Sequence, residues 1–113
     1  PAGPDWQRSK RLDRVVGIAA AEVQCDDPEA VARRWGEIAE TDIELSDGCF
    51  ILPMDNANVR FVSCTDGRPE GLGCIDLLAV DRDAILDAAG RRDCITADNQ
   101  VTLCGLRMNL LEA

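Results

Sequence analysis

The chain has 113 residues, 46% hydrophobic and 29% charged, with a formal net charge of −9. That length suits one domain, long enough to bury its own core without disulfide staples, and the balance is that of a globular chain. The acidity argues against nonspecific binding to nucleic acid or to an anionic membrane, since both need basic surface.

Residues 1–13 read as an arm or linker, followed by a domain over 14–113. Pro1, Gly3 and Pro4 break regular structure, and Arg8, Lys10 and Arg11 put positive charge on an otherwise acidic chain. Trp6 is the one residue there with a reason to dock. The start has no Met and lacks the basic-then-apolar layout of a signal peptide. A processed protein, a cloned segment and a domain cut from a longer chain are all compatible with it.

Residues 15–25 are small and β-branched and predict a strand. The run 15–23 is too short for a membrane span and is broken by Gly17 and Glu22. Asp27-Pro28-Glu29 is a helix start: an N-cap, a proline at the first helical position and an acid in the first turn. Val31, Arg34, Trp35 and Ile38 follow at helical spacing and predict a helix over 28–40, with Trp35 in the core. Three short strands are expected at 41–45, 49–53 and 58–64. They are separated by the turns Ser46-Asp47-Gly48 and Asp55-Asn56 and closed by Asp66-Gly67.

The order then repeats. Residues 72–80 predict a strand, Asp81 an N-cap, and Ala84, Ile85, Ala88 and Ala89 a helix face closed by Gly90. Strands at 94–97, 100–103 and 106–111 complete the chain, with Asp98-Asn99 as a hairpin turn. At an offset of 54 residues, Ala21 meets Ile75, Glu22 meets Asp76, Asp27 meets Asp81 and Val31 meets Ile85. Near the ends, Val59-Arg60-Phe61 matches Leu106-Arg107-Met108. One β-α-β-β-β module therefore occurs twice, over 14–66 and 71–112.

Cysteines stand at 25, 49, 64, 74, 94 and 104, with no C-x-x-C pair, and histidine is absent. A zinc site of Cys and His pairs is therefore not expected. With no secretion signal, the cysteines read as buried free thiols acting as small hydrophobes in a reducing, cytoplasmic setting. Without histidine there is no Ser-His-Asp or Cys-His arrangement. Gly71-Leu72-Gly73 is too short for a phosphate loop and reads as easing the chain into the next strand.

The paired modules resemble the vicinal oxygen chelate (glyoxalase/bleomycin-resistance/dioxygenase) superfamily. The likeness rests on the stretch from Ile18 through Trp35, on Gly71-Leu72-Gly73-Cys74-Ile75-Asp76-Leu77, and above all on the order of elements. It implies an α+β fold in which the two modules form a curved mixed sheet, helices on the outer face and a cup on the inner one. It also implies metal ligands on the first and last strands of each module in metal-dependent members. The matching positions here are Ala20, Val62, Cys74 and Asn109, which lack carboxylate and imidazole. No metal and no cofactor are therefore expected, with Glu22 and Asp76 as fallback ligands should the strand register slip.

If Ala20 faces the cup, strand alternation brings Glu22, Gln24, Asn58, Arg60, Val62, Cys74, Asp76, Arg107 and Asn109 to the same face. Two readings follow. The acids Glu22 and Asp76 pair with Arg60 and Arg107 into a neutral sheet face. Alternatively, Glu22, Arg60, Asp76, Arg107 and Asn109 form a pocket for a small polar or anionic ligand, with an arginine gripping a carboxylate or phosphate. No catalytic residue is assigned. The leading expectation is a metal-free small-molecule-binding domain, with a homodimer completing the groove as in drug-sequestering members. Its rivals are a metal-dependent lyase, isomerase or dioxygenase, and a non-catalytic accessory domain of a longer protein.

Overall fold

A computed structural model describes residues 3–113. After a short 3-10 turn at Trp6–Ser9, the elements are β1 (Val15–Cys25), α1 (Pro28–Ala39), β2 (Glu44–Ser46), β3 (Cys49–Pro53) and β4 (Asn58–Ser63). They continue with β5 (Gly71–Ala79), α2 (Arg82–Arg91), β6 (Ile95–Ala97), β7 (Gln100–Leu103) and β8 (Leu106–Glu112). The strands form one mixed, curved sheet in the order β2-β3-β4-β1-β5-β8-β7-β6. β1 and β5 run antiparallel at its centre, β1–β4 and β5–β8 are parallel, and antiparallel hairpins lie outside them. Ala21 faces Ile75 across the centre. These two are also partners at the 54-residue offset, so the pseudo-twofold axis passes between them.

Both helices begin where the local sequence dictates. Asp27 accepts from the Ala30 N–H at 3.2 Å and Asp81 from the Ala84 N–H at 3.2 Å, each cap worth about 1 kcal/mol. Both end on the same device. Glu40 (φ 54°) and Asp93 (φ 56°) take the left-handed conformation. The next residue then donates back into the helix, Thr41 N–H to Gly36 O at 3.0 Å and Cys94 N–H to Ala89 O at 3.0 Å. This corrects two expectations. Gly90 does not close α2, because the turn falls three residues later. β2 starts at Glu44 and not at 41, because Thr41 is spent on the helix end.

Each module has its own core. In the first, α1 packs its Ala32 against Cys25, Leu52 and Phe61, with Val23, Val31, Ile43, Phe50 and Val59 around them. In the second, Ala89, Val101 and Leu110 pack with Leu77, Ile85, Leu86 and Cys94. The buried residues of α1 are Ala32 and Gly36, so the helix approaches the sheet on its small residues. A Cβ on Gly36 would stand 2.9 Å from Ile43 Cγ1 and from the Thr41 carbonyl oxygen. The expected apolar face is thereby rotated. Ile38 is 71% exposed, and Trp35, expected in the core, is half-exposed, touching Phe61 edge-on at 5.3 Å between centroids.

The arm differs from expectation as well. Trp6 does not dock on the domain. It is exposed and covered by the Lys10 ammonium, 5.2 Å from the ring centroid. The six cysteines are free thiols, but only Cys25 and Cys74 are buried, and Cys104 is exposed. Cys104 sits at a hairpin tip with φ 52°, followed by Gly105 at φ 80°, the two-residue turn that matches strand twist. No helix among the described residues is long and apolar enough to cross a membrane.

Candidate functional site

The inner face of the four central strands carries the charged residues. Glu22 lies opposite Arg60 on β4 and opposite Cys74 on β5. Asp76 lies opposite Ala20 on β1 and opposite Asn109 on β8. Arg107 lies opposite Cys74 on β5 and opposite Thr102 on β7. The expected inward phase of β1, β4, β5 and β8 is thus present.

Arg60 and Arg107 are not symmetry mates, however. The rotation that exchanges Glu22 with Asp76 carries Arg60 onto Asn109 and Arg107 onto Asn58, as the strand pairs show. The sequence match of 59–61 with 106–108 is two residues out of spatial register. An even slip keeps a side chain on its face, which is why the face was legible and the partnerships were not.

One hydrogen-bonded network joins five strands. Arg60 meets Asp76 with both terminal nitrogens, at 2.5 and 3.1 Å, and reaches Glu22 Oε1 at 3.4 Å. Arg107 Nη2 touches Glu22 Oε2 at 3.4 Å, Gln24 Oε1 at 3.4 Å and Asp66 Oδ2 at 3.5 Å. The Asn109 amide donates to Asp76 Oδ1 at 2.9 Å and accepts from Gln100 at 3.0 Å. Glu22, Arg60 and Asp76 are 15%, 21% and 11% exposed. A carboxylate this sheltered stays charged only with compensation. For Asp76, burial opposes ionisation, but hydrogen bonds from Arg60 and Asn109 outweigh it and hold the carboxyl below its usual range. The Asp76 hydrogen bond holds the Arg60 guanidinium firmly charged despite burial.

Three contributors carry no assigned role in the sequence: Gln24, placed on the same face, Asp66, placed in a turn, and Arg68. Gln24, buried to 2% exposure, donates to Asp66 at 3.0 Å and to the carbonyls of Arg68 and Pro69 at 3.3 and 2.9 Å. Asp66 in turn accepts from the Arg68 N–H at 3.0 Å and from its guanidinium at 2.9 Å. Those bonds, the backbone one first, hold the Asp66 carboxyl well below its usual range. Asp66-Gly67 was legible as a turn. Its closeness to Gln24 depends on the chain folding back between modules, which no local pattern marks.

Gly73 makes the arrangement possible. A Cβ there would stand 2.5 Å from Gln24 Oε1 and 2.9 Å from Arg107 Nη2. The glycine thus serves close approach of two buried polar side chains, and not just the passage into β5.

Of the five expected binding residues, Glu22, Arg60, Asp76 and Asn109 are engaged with one another. Arg107 also lines a solvent-open hollow of about 340 Å³ on the module-two half of the face, together with Asp66, Arg68, Thr96, Gln100 and Thr102. Its Nη2 contacts are long, and its buried Nε has no hydrogen-bond partner among the described residues. An unpaired buried donor is costly, and Nε, shielded from solvent, would meet an acceptor in the hollow only after the side chain shifts.

The four positions matched to superfamily metal ligands are not paired with one another across the strands. Val62 lies opposite Gln24 on β1, whereas Ala20 lies opposite Asn58 and Asp76, and Cys74 opposite Glu22 and Arg107. The fallback pair Glu22 and Asp76 shares Arg60, and Arg107 adds a second cation beside Glu22. A divalent ion there would displace two guanidiniums or sit against them, and among the described residues no three Cys, Asp or Glu side chains gather to hold one. This donor set does not fit a resident metal.

No protein-family model matches the chain, and neither does any curated protein. Solved structures do resemble it. One is a xylose isomerase-like TIM barrel/4-hydroxyphenylpyruvate dioxygenase fusion protein, with TM-score 0.67 and 18% identity over 88% of this chain. The chain spans 20% of that protein's length. Another is methylmalonyl-CoA epimerase from Mycobacterium tuberculosis, with TM-score 0.61 and 12% identity over 91% of each chain. At these identities the likeness establishes the fold, which is that of the vicinal oxygen chelate, glyoxalase-like group.

Proposed function

We propose that this glyoxalase-like domain binds a small organic molecule bearing a carboxylate or similar oxygen acceptor, without metal and without covalent chemistry. The observation that carries the reading is Arg107, which lines a solvent-open hollow with only long contacts at its Nη2 and an unpartnered, buried Nε. Arg60, the other candidate grip, is taken up by Asp76 and Glu22, so anion recognition falls to Arg107, with Arg68 adding positive charge beside it. Thr96, Gln100 and Thr102 supply hydroxyls and an amide along one wall. Thr96 and Thr102 are 2.8 Å apart, oxygen to oxygen, a pair able to donate to or accept from a ligand's polar groups.

The test is calorimetric titration in EDTA with small mono- and dicarboxylates and inorganic phosphate as probes. Saturable binding is expected for at least one probe, weakened roughly tenfold or more by Arg107→Gln, as loss of a charge-assisted bond implies. Affinity unchanged in that variant would overturn the reading. So would near-stoichiometric divalent metal in protein purified without chelator.

An accessory role in a longer chain is the second reading. It is favoured by the match to one fifth of a fusion protein, which has this fold as one part among others.

A further inference from the structure

On the outer face the second module lacks an aromatic pair that the first has. In module one the Trp35 indole lies edge-on over Phe61, 5.3 Å between centroids. Leu110 is the counterpart of Phe61, since Val23 pairs with Phe61 and Leu77 with Leu110. Trp35 lies eight residues past the Asp27 cap and five before the left-handed Glu40. Counted in the same two ways from Asp81 and Asp93, its place on α2 falls on Ala89 or Ala88. Both alanines line a groove of about 290 Å³ that Ile85, Val101 and Leu103 also wall. Where one module has an aromatic ring, the other has room for one.

The groove is apolar inside and cationic at its rim. Arg14, just before β1, and Arg92, just past α2, are the charged residues that line it among those described, and no acid does. Both are exposed. Arg92 Nη1 makes one long bond, 3.5 Å to the Ala88 carbonyl. Arg14 lies 3.5 Å from Asp81 and 4.0 Å from Asp13, solvent-exposed pairs that hold a guanidinium loosely. Both arginines are therefore able to turn to an anion at the mouth. The volume is at the lower edge of what organic ligands occupy. It takes one aromatic group with a short substituent and not a long chain.

We infer that this groove is a binding site for a small, free aromatic carboxylate. The ring lies on Ala88, Ala89 and Val101, in the place that Trp35 takes in the first module, and the carboxylate sits at the mouth between Arg14 and Arg92. Burial of the ring supplies the hydrophobic part of the binding. The two guanidiniums select the charge, so a neutral or cationic arene of the same shape gains the first part without the second. The chain's net charge of −9 repels anions at long range. Salt screens that repulsion beyond about 8–10 Å, which leaves the local pair to decide. The groove is on the helix side of the sheet and the cup is on the other, so either site can fail without the other.

The test is a proton–carbon methyl NMR titration in the Arg107→Gln background, which removes the arginine proposed to grip carboxylates in the cup. Indole-3-acetate is the probe, with indole, tryptamine and acetate as controls. Indole-3-acetate should shift the Ile85, Val101 and Leu103 methyls saturably. It should bind roughly tenfold or more tighter than indole or tryptamine, while acetate leaves those methyls in place. The double variant Arg14→Gln/Arg92→Gln should bring indole-3-acetate down to the level of indole and leave indole binding as it was, a split that a damaged fold would not give. Leu103→Glu, which adds an acid to the wall, should weaken indole-3-acetate more than indole. All three residues are exposed, so circular dichroism should show the fold retained. No saturable shift of these methyls, tryptamine bound as tightly as indole-3-acetate, or an affinity indifferent to the double arginine variant would each overturn the inference.

Discussion

Arg60 of the first module holds Asp76 of the second through both terminal guanidinium nitrogens, Nη1 to Oδ2 at 2.5 Å and Nη2 to Oδ1 at 3.1 Å. The bond crosses the β1–β5 seam where the two halves of the sheet meet, and it is sheltered on both sides, at 21% and 11% side-chain exposure. Removing Arg60 leaves the sheltered Asp76 with only the Asn109 amide, and removing Asp76 leaves Arg60 with only its longer contact to Glu22. Asp76→Ala and Arg60→Ala should each cost about 3 kcal/mol. The double variant Arg60→Met/Asp76→Leu should cost less than either single change, because neither charge of the pair remains and Glu22 keeps Arg107. Urea unfolding of the three variants measures this. Additive losses would show that the two side chains do not act as a pair.

Stability should also respond to acid in a defined direction. Asp76 and Asp66 have folded pKa values held below their ordinary range. Their contribution is therefore fully present above the unfolded value of about 3.9 and is lost as pH falls toward the folded value. The urea midpoint should be level near neutrality and drop as the solution is acidified through that window. Asp76→Asn should begin lower and fall less steeply. A parallel acid limb in that variant would remove Asp76 from the account.

Gly73→Ala is the smallest change that disturbs the hollow. The added methyl meets Gln24 Oε1 at 2.5 Å and Arg107 Nη2 at 2.9 Å, so one of the two must move. A loss of about 1–3 kcal/mol is expected from overpacking, with weaker probe binding on top. Gly90→Ala is the control, since its nearest neighbour is the Ile95 methyl at 3.6 Å, and helix propensity favours alanine. Equal losses at both sites would contradict the special role of Gly73.

The thiols should react in order of exposure. Burial, joined by nearby carboxylates, raises the pKa values of Cys25 and Cys74, whereas Cys104 stands at an exposed hairpin tip. Iodoacetamide labelling read by peptide mass spectrometry should modify Cys104 first. Cys25 and Cys74 should label only in denaturant. Rapid native labelling of Cys74 would mean that the central strands open readily.

Much of this fold was legible because its signals are local. The caps at Asp27 and Asp81, the turn at Asp47-Gly48 and the alternation along β1 each act within a few residues. β1 and β3 match the expected ranges 15–25 and 49–53. What failed was decided by contact between distant segments. Helical spacing puts Trp35 in the core, but the helix seats itself on Ala32 and Gly36, with Ile43 and the Thr41 carbonyl close against Gly36. Gly90 looked like a helix end, yet the chain uses Asp93.

The site shows the same division. Glu22, Arg60, Asp76, Arg107 and Asn109 were placed on one face by alternation alone, and the sheet puts them there. Their partnerships needed the register, which shifts Arg107 away from Asp76 toward Glu22, Gln24 and Asp66. Asp66 and Arg68 enter from a loop that carries no periodicity, so only the folded chain shows them.

The most direct test of the central claim is the Arg107 Nε–Hε cross-peak in a proton–nitrogen NMR titration with a 2-oxo carboxylate panel in EDTA. The account predicts that this cross-peak, assigned by its loss in Arg107→Gln, shifts saturably with at least one probe while that of Arg60 stays in place. An Arg107 cross-peak that no carboxylate or phosphate moves, or an Arg60 cross-peak that moves in its stead, would contradict it.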